Sequence, residues 1–140
     1  MTRGTRTRSA AAGACAAVVW AAVEPIDRRL LRNDYLDVAL LGKVVTRSRA
    51  WPVIGLGMHA ANGAMFGLAY HELHRRRKTS AVRLALTEHV ALFPLGALAD
   101  RYHPARGELG VTNVFGARAF VQATWRHFLF GAVLSRLAGE

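Results

Sequence analysis

Four apolar segments alternate along the chain with polar, mostly basic segments. The apolar segments cover residues 9–26, 51–71, 80–99 and 114–137. A helix needs about 20 residues, at 1.5 Å per residue, to cross the hydrocarbon core of a bilayer. In lipid the backbone must satisfy its own hydrogen bonds, which favours helices for segments of these lengths. The pattern predicts an all-α protein, a four-helix transmembrane bundle formed by one integral membrane domain over residues 1–140.

The second segment carries the clearest signal. From Trp51 to Tyr70 it contains no formally charged residue, and its strongly polar side chains are those of His59 and Asn62. A helix on the surface of a soluble core would show a polar face with a period of 3.6 residues. Its two end residues are aromatic and amphipathic, as is common at membrane interfaces. This segment is therefore predicted to span a membrane.

The first segment follows three arginines close to the N-terminus and resembles the start of a secretory signal peptide. However, Trp20 and Val23 stand where a cleavage site requires small residues, so a retained membrane helix is the preferred interpretation. The connection that follows has apolar residues at Tyr35, Val38, Leu41 and Val45. That spacing predicts a short interfacial helix in the first loop.

Charged and polar side chains interrupt the third and fourth segments. The third contains Glu88 and His89, and the fourth contains Arg126 and His127. A lone charge at the bilayer centre costs about 2.5–3.5 kcal/mol on insertion scales, so a partner is expected. We therefore predict that Glu88 and Arg126 pair inside the bundle. Such a pair either fixes helix register or forms part of a proton or substrate path, and the sequence leaves both open.

Small and polar residues of the second segment recur at spacings of three and four, which places them on one helix face. They include Gly55, His59, Asn62, Gly63 and Gly67. Small residues four apart let a neighbouring backbone approach closely, which predicts a helix-packing face, and Gly131 is assigned the same role in the fourth segment. The alternative is that the glycines leave room for a flat cofactor beside the histidine.

Histidines lie near the middle of three different segments, at His59, His89 and His127. A neutral imidazole can bind haem iron or another metal, and His59 and His127 are the natural axial pair. The simpler interpretation is that each imidazole hydrogen-bonds to a neighbouring helix. No cofactor is predicted, and haem held by these two residues is the alternative.

A short motif occurs twice. His59-x-x-x-Gly63-Ala64 in the second segment recurs as His127-x-x-x-Gly131-Ala132 in the fourth, which suggests two duplicated helical hairpins. With these motifs the chain resembles small uncharacterised bacterial inner-membrane proteins of the YagU-like type, which have four helices and a similar His-Gly-Ala helix in each half. The resemblance implies a multi-pass bundle in the cytoplasmic membrane and supplies no activity.

Net charge and cysteine content narrow the partners. The formal charge is +10, and the chain has a single cysteine, Cys15, which excludes a disulfide framework and every multi-cysteine metal site. A basic protein can bind nucleic acid, but here the basic residues surround apolar segments instead of forming one recognition face. The predicted partners are the lipid bilayer and a second copy or another membrane protein, with no nucleic acid.

Orientation follows from the basic cluster Arg75–Lys78, which occupies a short connection between the second and third segments. Basic residues close to span ends are retained on the cytoplasmic side. This predicts that the cluster and both termini are cytoplasmic.

The sequence contains no phosphate-binding loop, dinucleotide fingerprint or nucleophile elbow. We therefore expect a structural or accessory bundle, or an oligomer subunit, and do not expect an enzyme. The alternative function is a redox, proton-transport or substrate-transport component that uses His59, His127, Glu88 and Arg126.

Overall fold

The computed structural model describes residues 3–139, and the side chains from residue 5 onwards. These residues form six α-helices and no β-sheet, so the predicted all-α class is confirmed. The helices are α1 (Arg3–Leu31), α2 (Asp37–Val45), α3 (Trp51–Arg77), α4 (Ala81–Leu92), α5 (Leu95–Tyr102) and α6 (Ala117–Ala138).

Helices α1 and α3 cross with their backbones in contact. Gly13 of α1 faces Gly63 of α3, and a Cβ added at Gly63 would lie 2.7 Å from the Cβ of Ala17. One turn along α3, a Cβ added at Gly67 would overlap the carbonyl oxygen of Ser9. Two of the glycines assigned to a packing face thus lie at this crossing, where any larger residue would push the helices apart.

The two remaining packing glycines lie at other helix crossings. Gly55 of α3 contacts the backbone of α2 near Gly42, and α2 is thereby held against the start of α3. Gly131 of α6 faces α4, where an added Cβ would lie 2.5 Å from the Cα of Val82. Glycine therefore sets the separation of three helix pairs within the chain.

The third apolar segment, predicted as one span over residues 80–99, consists of two helices. Helices α4 and α5 are bent by 52° relative to each other at the break between Leu92 and Leu95. The break contains Pro94, which lacks a backbone N–H and whose ring obstructs the preceding helical turn. The expectation of one continuous helix is corrected for this reason.

One end of the bundle is closed by α2 and the loop over residues 103–116. Lys43 of α2 is buried, and its Nζ donates to Glu108 Oε2 at 3.2 Å and to the carbonyl of Leu109 at 2.8 Å. In the same loop, His103 Nε2 lies 2.8 Å from the carbonyl oxygen of Leu40. These bonds give the loop buried polar anchors on α2.

The two ends of the described chain meet at the opposite end of the bundle. Arg8 Nε of α1 donates to the carbonyl of Leu137 in α6 at 3.1 Å. Because α3 runs antiparallel to α1, the basic cluster Arg75–Lys78 lies at this end as well; it forms the last turn and the C-cap of α3, and the prediction that it occupies a loop is corrected.

By length and composition, α1 over Thr5–Leu31 is the helix in the described part of the chain that could cross a membrane, and α4 with α5 could do so as one bent span. Helix α3, the strongest candidate by sequence, is not among them. His59 and Asn62, with four glycines, lower its mean hydropathy.

We predict that Gly63→Ala destabilises the protein, although alanine is the better helix former by about 1 kcal/mol. The added methyl group overlaps the α1 backbone. Gly57→Ala on the same helix is the matched control, since its Cβ would meet nothing within 4 Å. Thermal unfolding of purified protein should show a lower Tm for Gly63→Ala and an unchanged or higher Tm for Gly57→Ala. Equal shifts for the two variants would contradict the close crossing.

Candidate functional site

Arg126, in the middle of α6, has an exposed fraction of 0% and lies at the centre of a buried charge network. Its Nε and Nη2 donate to the two carboxylate oxygens of Asp27, each at 2.6 Å. Its Nη1 donates to Asp37 Oδ2 at 2.9 Å and to Glu24 Oε1 at 3.4 Å. The bidentate geometry with Asp27 is the strongest form of arginine–carboxylate pairing.

Neutral polar groups complete the network around these carboxylates. Trp20 Nε1 donates to Asp37 Oδ2 at 3.0 Å, and Gln122 Nε2 donates to Asp27 Oδ1 at 2.8 Å. Asn33 Nδ2 in turn donates to Gln122 Oε1 at 2.8 Å. Each of these buried side chains therefore has a hydrogen-bond partner, which is the condition under which a buried ionic cluster is tolerated.

The charge of Asp37 is held in place by its neighbours. Burial on its own would raise the pKa of the Asp37 carboxyl, but the positive charge of Arg126 and the hydrogen bond from Tyr35 help to hold that pKa below its ordinary value of 3.8. Burial and the adjacent Asp37 raise the pKa of the Tyr35 hydroxyl well above 10.0. Tyr35 therefore stays protonated and donates to Asp37.

The predicted pair between Glu88 and Arg126 is wrong. The carboxylates around Arg126 come from α1 and α2, whereas Glu88 lies half-buried on α4. Within the part of the chain that the structure describes, Glu88 has neither an ion-pair partner nor a hydrogen-bond partner. The charge of Arg126 is thus balanced by acids of α1 and α2, and Glu88 lies in the wall of a cavity.

A cavity of about 160 Å³ lies between α1, α3, α4 and α6, next to the charge network. Asp37 belongs to both the network and the cavity wall. The polar side chains that line the cavity are Trp20, Asp37, His59, Asn62, Glu88 and His127. Four of the six polar residues singled out from the sequence are thus brought together, with Arg126 behind Asp37 and His89 behind His127.

The indole ring of Trp20 contacts the imidazole rings of both His59 and His127. The ring centroids of Trp20 and the two histidines are 5.1 Å and 4.6 Å apart, both in edge-on geometry. Among residues 5–139, no three or more His, Cys, Asp or Glu side chains are grouped to hold a metal ion. Haem ligation by this pair remains a hypothesis.

Hydrogen bonds fix the tautomers of two histidines. His127 Nδ1 lies 2.7 Å from the carbonyl oxygen of Ala123, so Nδ1 carries a proton and the Nε2 of the neutral ring has a free lone pair. His89 Nε2 lies 2.9 Å from Thr124 Oγ1, whose own proton is donated to the carbonyl of Phe120 at 2.7 Å. His89 is therefore a donor to Thr124.

His59 is the exception among these buried polar groups. It is 8% exposed, and its Nε2 is the buried side-chain nitrogen or oxygen that lacks a hydrogen-bond partner within the described structure. Buried polar atoms are almost always paired, so an unpaired one in a cavity wall requires an explanation.

Sequence reasoning missed the three acids that hold Arg126. The predicted first span ends at residue 26, between Glu24 and Asp27, whereas α1 continues to Leu31. Their separation of three residues places both on one face of that helix. Extending the helical period beyond Pro25 would have revealed the pair. Asp37 comes from α2, and nothing in the sequence indicates its contact with α6.

Comparison of the chain with family models, curated proteins and solved structures finds no match.

We predict that Arg126→Met lowers the free energy of unfolding by about 3–5 kcal/mol, because it leaves buried carboxylates without their counter-charge. Arg118→Met is the matched control, since Arg118 is an exposed arginine on the same helix. Denaturant titration followed by circular dichroism measures both variants. A loss of similar size in the two would refute the central role of Arg126.

Acidification should reduce the contribution of Asp37 to stability. Because its pKa is lowered in the folded protein, that contribution is complete above the ordinary value of 3.8 and is lost as the pH falls through the folded value. The stability difference between the wild type and Asp37→Asn should therefore shrink when unfolding is measured from about pH 6 down to below 3.8. A constant difference over this range would contradict the assignment.

Proposed function

We propose that this chain is a multi-pass integral protein of the bacterial cytoplasmic membrane and acts as an accessory or structural helical bundle. The observation that carries the proposal is the distribution of polarity. The interior holds an arginine, three acidic side chains and a glutamine, while large apolar side chains point outwards from the long helices. A bilayer is the solvent in which this arrangement is favourable, since polar groups then face the bundle interior.

The outward apolar residues are spread over the whole bundle. They include Val19 and Ile26 on α1, Val53 and Met65 on α3, Val90 on α4, Leu95 on α5, and Val121, Trp125 and Phe128 on α6. Single exposed hydrophobic residues are ordinary, whereas extended apolar surfaces mark contact with a membrane or a protein. Their spread around the bundle favours lipid over one docked partner.

Helix α1 is proposed to remain part of the mature protein, because Glu24 and Asp27 supply most of the bonds to Arg126. Removal of α1 as a signal peptide would leave that arginine buried without these partners. The bent pair of α4 and α5 is proposed to form one broken span, with the ring of Phe93 at the break packed against Phe115 and Phe120.

The proposed orientation places the basic cluster Arg75–Lys78 and both termini in the cytoplasm. Support comes from the positive-inside rule and from the position of the cluster at the end of the bundle where α1 begins and α6 ends.

The glycine faces are used for packing within the chain. A homo-oligomer or a partner protein would therefore bind an outward apolar face, of which that of α6 presents the stacked rings of Trp125 and Phe128, with centroids 6.3 Å apart.

A second candidate function is an intramembrane transport component. The polar cavity favours it, because Glu88 and His59 lie in its wall without partners. Ionisable residues inside a membrane bundle commonly mark ion, proton or substrate paths. A redox role would additionally require haem or a metal bound by His59 and His127, whose imidazole rings both pack edge-on against Trp20.

Membrane integration is tested by fractionation of cells that express the full chain. We expect the protein to stay in the membrane pellet after an alkaline carbonate wash and to be released by mild detergent. Release by carbonate, or recovery in the soluble fraction, would overturn the proposal.

Topology is tested with a reporter that is active only outside the cytoplasm. Fused after residue 140 it should be inactive, and inserted near Asn33 it should be active, because the end of α6 at Leu137 and Asn33 lie at opposite ends of the bundle. The reverse result would overturn the orientation, and the same result at both positions would overturn the four-span arrangement.

A further inference from the structure

We propose that the cavity between α1, α3, α4 and α6 binds a small organic cation with N–H donors, such as a primary ammonium ion, and that Glu88 is its charge partner. The inference deepens the transport candidate of the proposed function. Binding to the cavity does not itself depend on translocation, so the two can fail separately.

The first argument is the charge balance of the interior. Around the single guanidinium of Arg126 stand three acidic side chains, those of Glu24, Asp27 and Asp37. Glu88 adds a fourth acid at the cavity, and no lysine or arginine side chain lines the cavity in the described structure. Glu88 lies half-buried in this wall without a counter-charge, which favours a bound cation there, because an unpaired charge removed from water is costly.

The second argument is the hydrogen-bonding character of the wall. His127 presents a lone pair on Nε2, because its Nδ1 is committed to the carbonyl of Ala123. Glu88 offers carboxylate oxygens, Asn62 offers an amide oxygen, and His59 Nε2 has no protein partner. An ammonium group has three donors and no acceptor, so it complements a wall rich in acceptors. A ligand in this position would also account for the unpaired nitrogen of His59.

An anion does not fit the same wall. The N–H groups of Arg126 donate to Asp27, Asp37, Glu24 and the carbonyl of Tyr35 at 2.6–3.4 Å, and Arg126 does not line the cavity. The indole N–H of Trp20 is likewise used by Asp37. Few donors are therefore left for a carboxylate or phosphate.

The apolar part of the wall sets the class of cation. The rings of Trp20, Phe66 and Phe130 line the cavity, and aromatic faces attract organic cations while tolerating an alkyl group. A volume of about 160 Å³ restricts the ligand to a few non-hydrogen atoms. These features favour a small alkylammonium ion over a large quaternary one.

Binding is tested with the full chain purified in mild detergent, using the fluorescence of Trp20. The chain has three tryptophans, so Trp51→Phe and Trp125→Phe leave Trp20 as the reporter in the cavity wall. Titration with methylammonium chloride should change the emission in a saturable way. Tetramethylammonium chloride, which lacks N–H donors, and potassium chloride at the same ionic strength should not.

In the same background, Glu88→Gln should weaken methylammonium binding at least about tenfold, because it removes the counter-charge but keeps the shape. Glu72→Gln is the matched control, since Glu72 is a carboxylate on the surface that pairs with Arg76. Glu88→Asp, which retains the charge, should keep measurable binding. Circular dichroism and a melting curve verify that each variant is folded.

The proposal is overturned if the parent protein gives no saturable response to methylammonium. It is equally overturned if tetramethylammonium chloride, potassium chloride or, as an anion control, sodium acetate gives the same response. Binding of methylammonium by Glu88→Gln as tight as that of its parent would also overturn it. Should Glu88→Gln fail to fold, loss of binding in His127→Leu with retention in Glu88→Asp supports the site, and unchanged binding in His127→Leu contradicts it. If the protein binds methylammonium but is released from membranes by the carbonate wash, the proposed membrane location is refuted and the cation site stands.

Discussion

The bidentate pair between Arg126 and Asp27 is the constraint on which most of the bundle depends. A guanidinium with no exposure to water must have its N–H groups paired, because the cost of removing the charge from water is otherwise unbalanced. Its partners come from α1, α2 and the chain before α2, so all three must be in place when α6 packs. The ion pairs thereby fix the register of α6 against α1 and the position of α2.

Asp37 transmits this arrangement to the cavity. Its carboxylate accepts hydrogen bonds from Arg126, Trp20 and Tyr35, and this orients the indole ring against the two histidines. The cavity wall is thus built on residues whose positions follow from the ion-pair network. Glycine contacts act independently of the charges, since they set how closely α1, α3, α4 and α6 approach.

Much of the architecture could be predicted from the sequence, because hydrophobic patterning is a local signal. Three of the four apolar segments correspond to single helices, a helix forms at Asp37–Val45 in the first loop, and the predicted packing glycines Gly55, Gly63 and Gly67 lie at helix crossings. The pairing of charges is not local. Glu88 and Arg126 were matched because both lie inside apolar segments, whereas the real partners stand near a helix end and on a short helix. The break at Pro94 was visible in the sequence, but the apolar residues around it favoured one long helix.

The most direct test of this account is a double-mutant cycle between Arg126→Met and Asp27→Leu, measured as free energies of unfolding in mild detergent. If the bidentate pair organises the bundle, the double variant is more stable than the sum of the single losses implies, with a coupling energy of about 1.5–3 kcal/mol. Additive losses, within about 0.5 kcal/mol, would show that the two side chains act independently and would contradict the central claim.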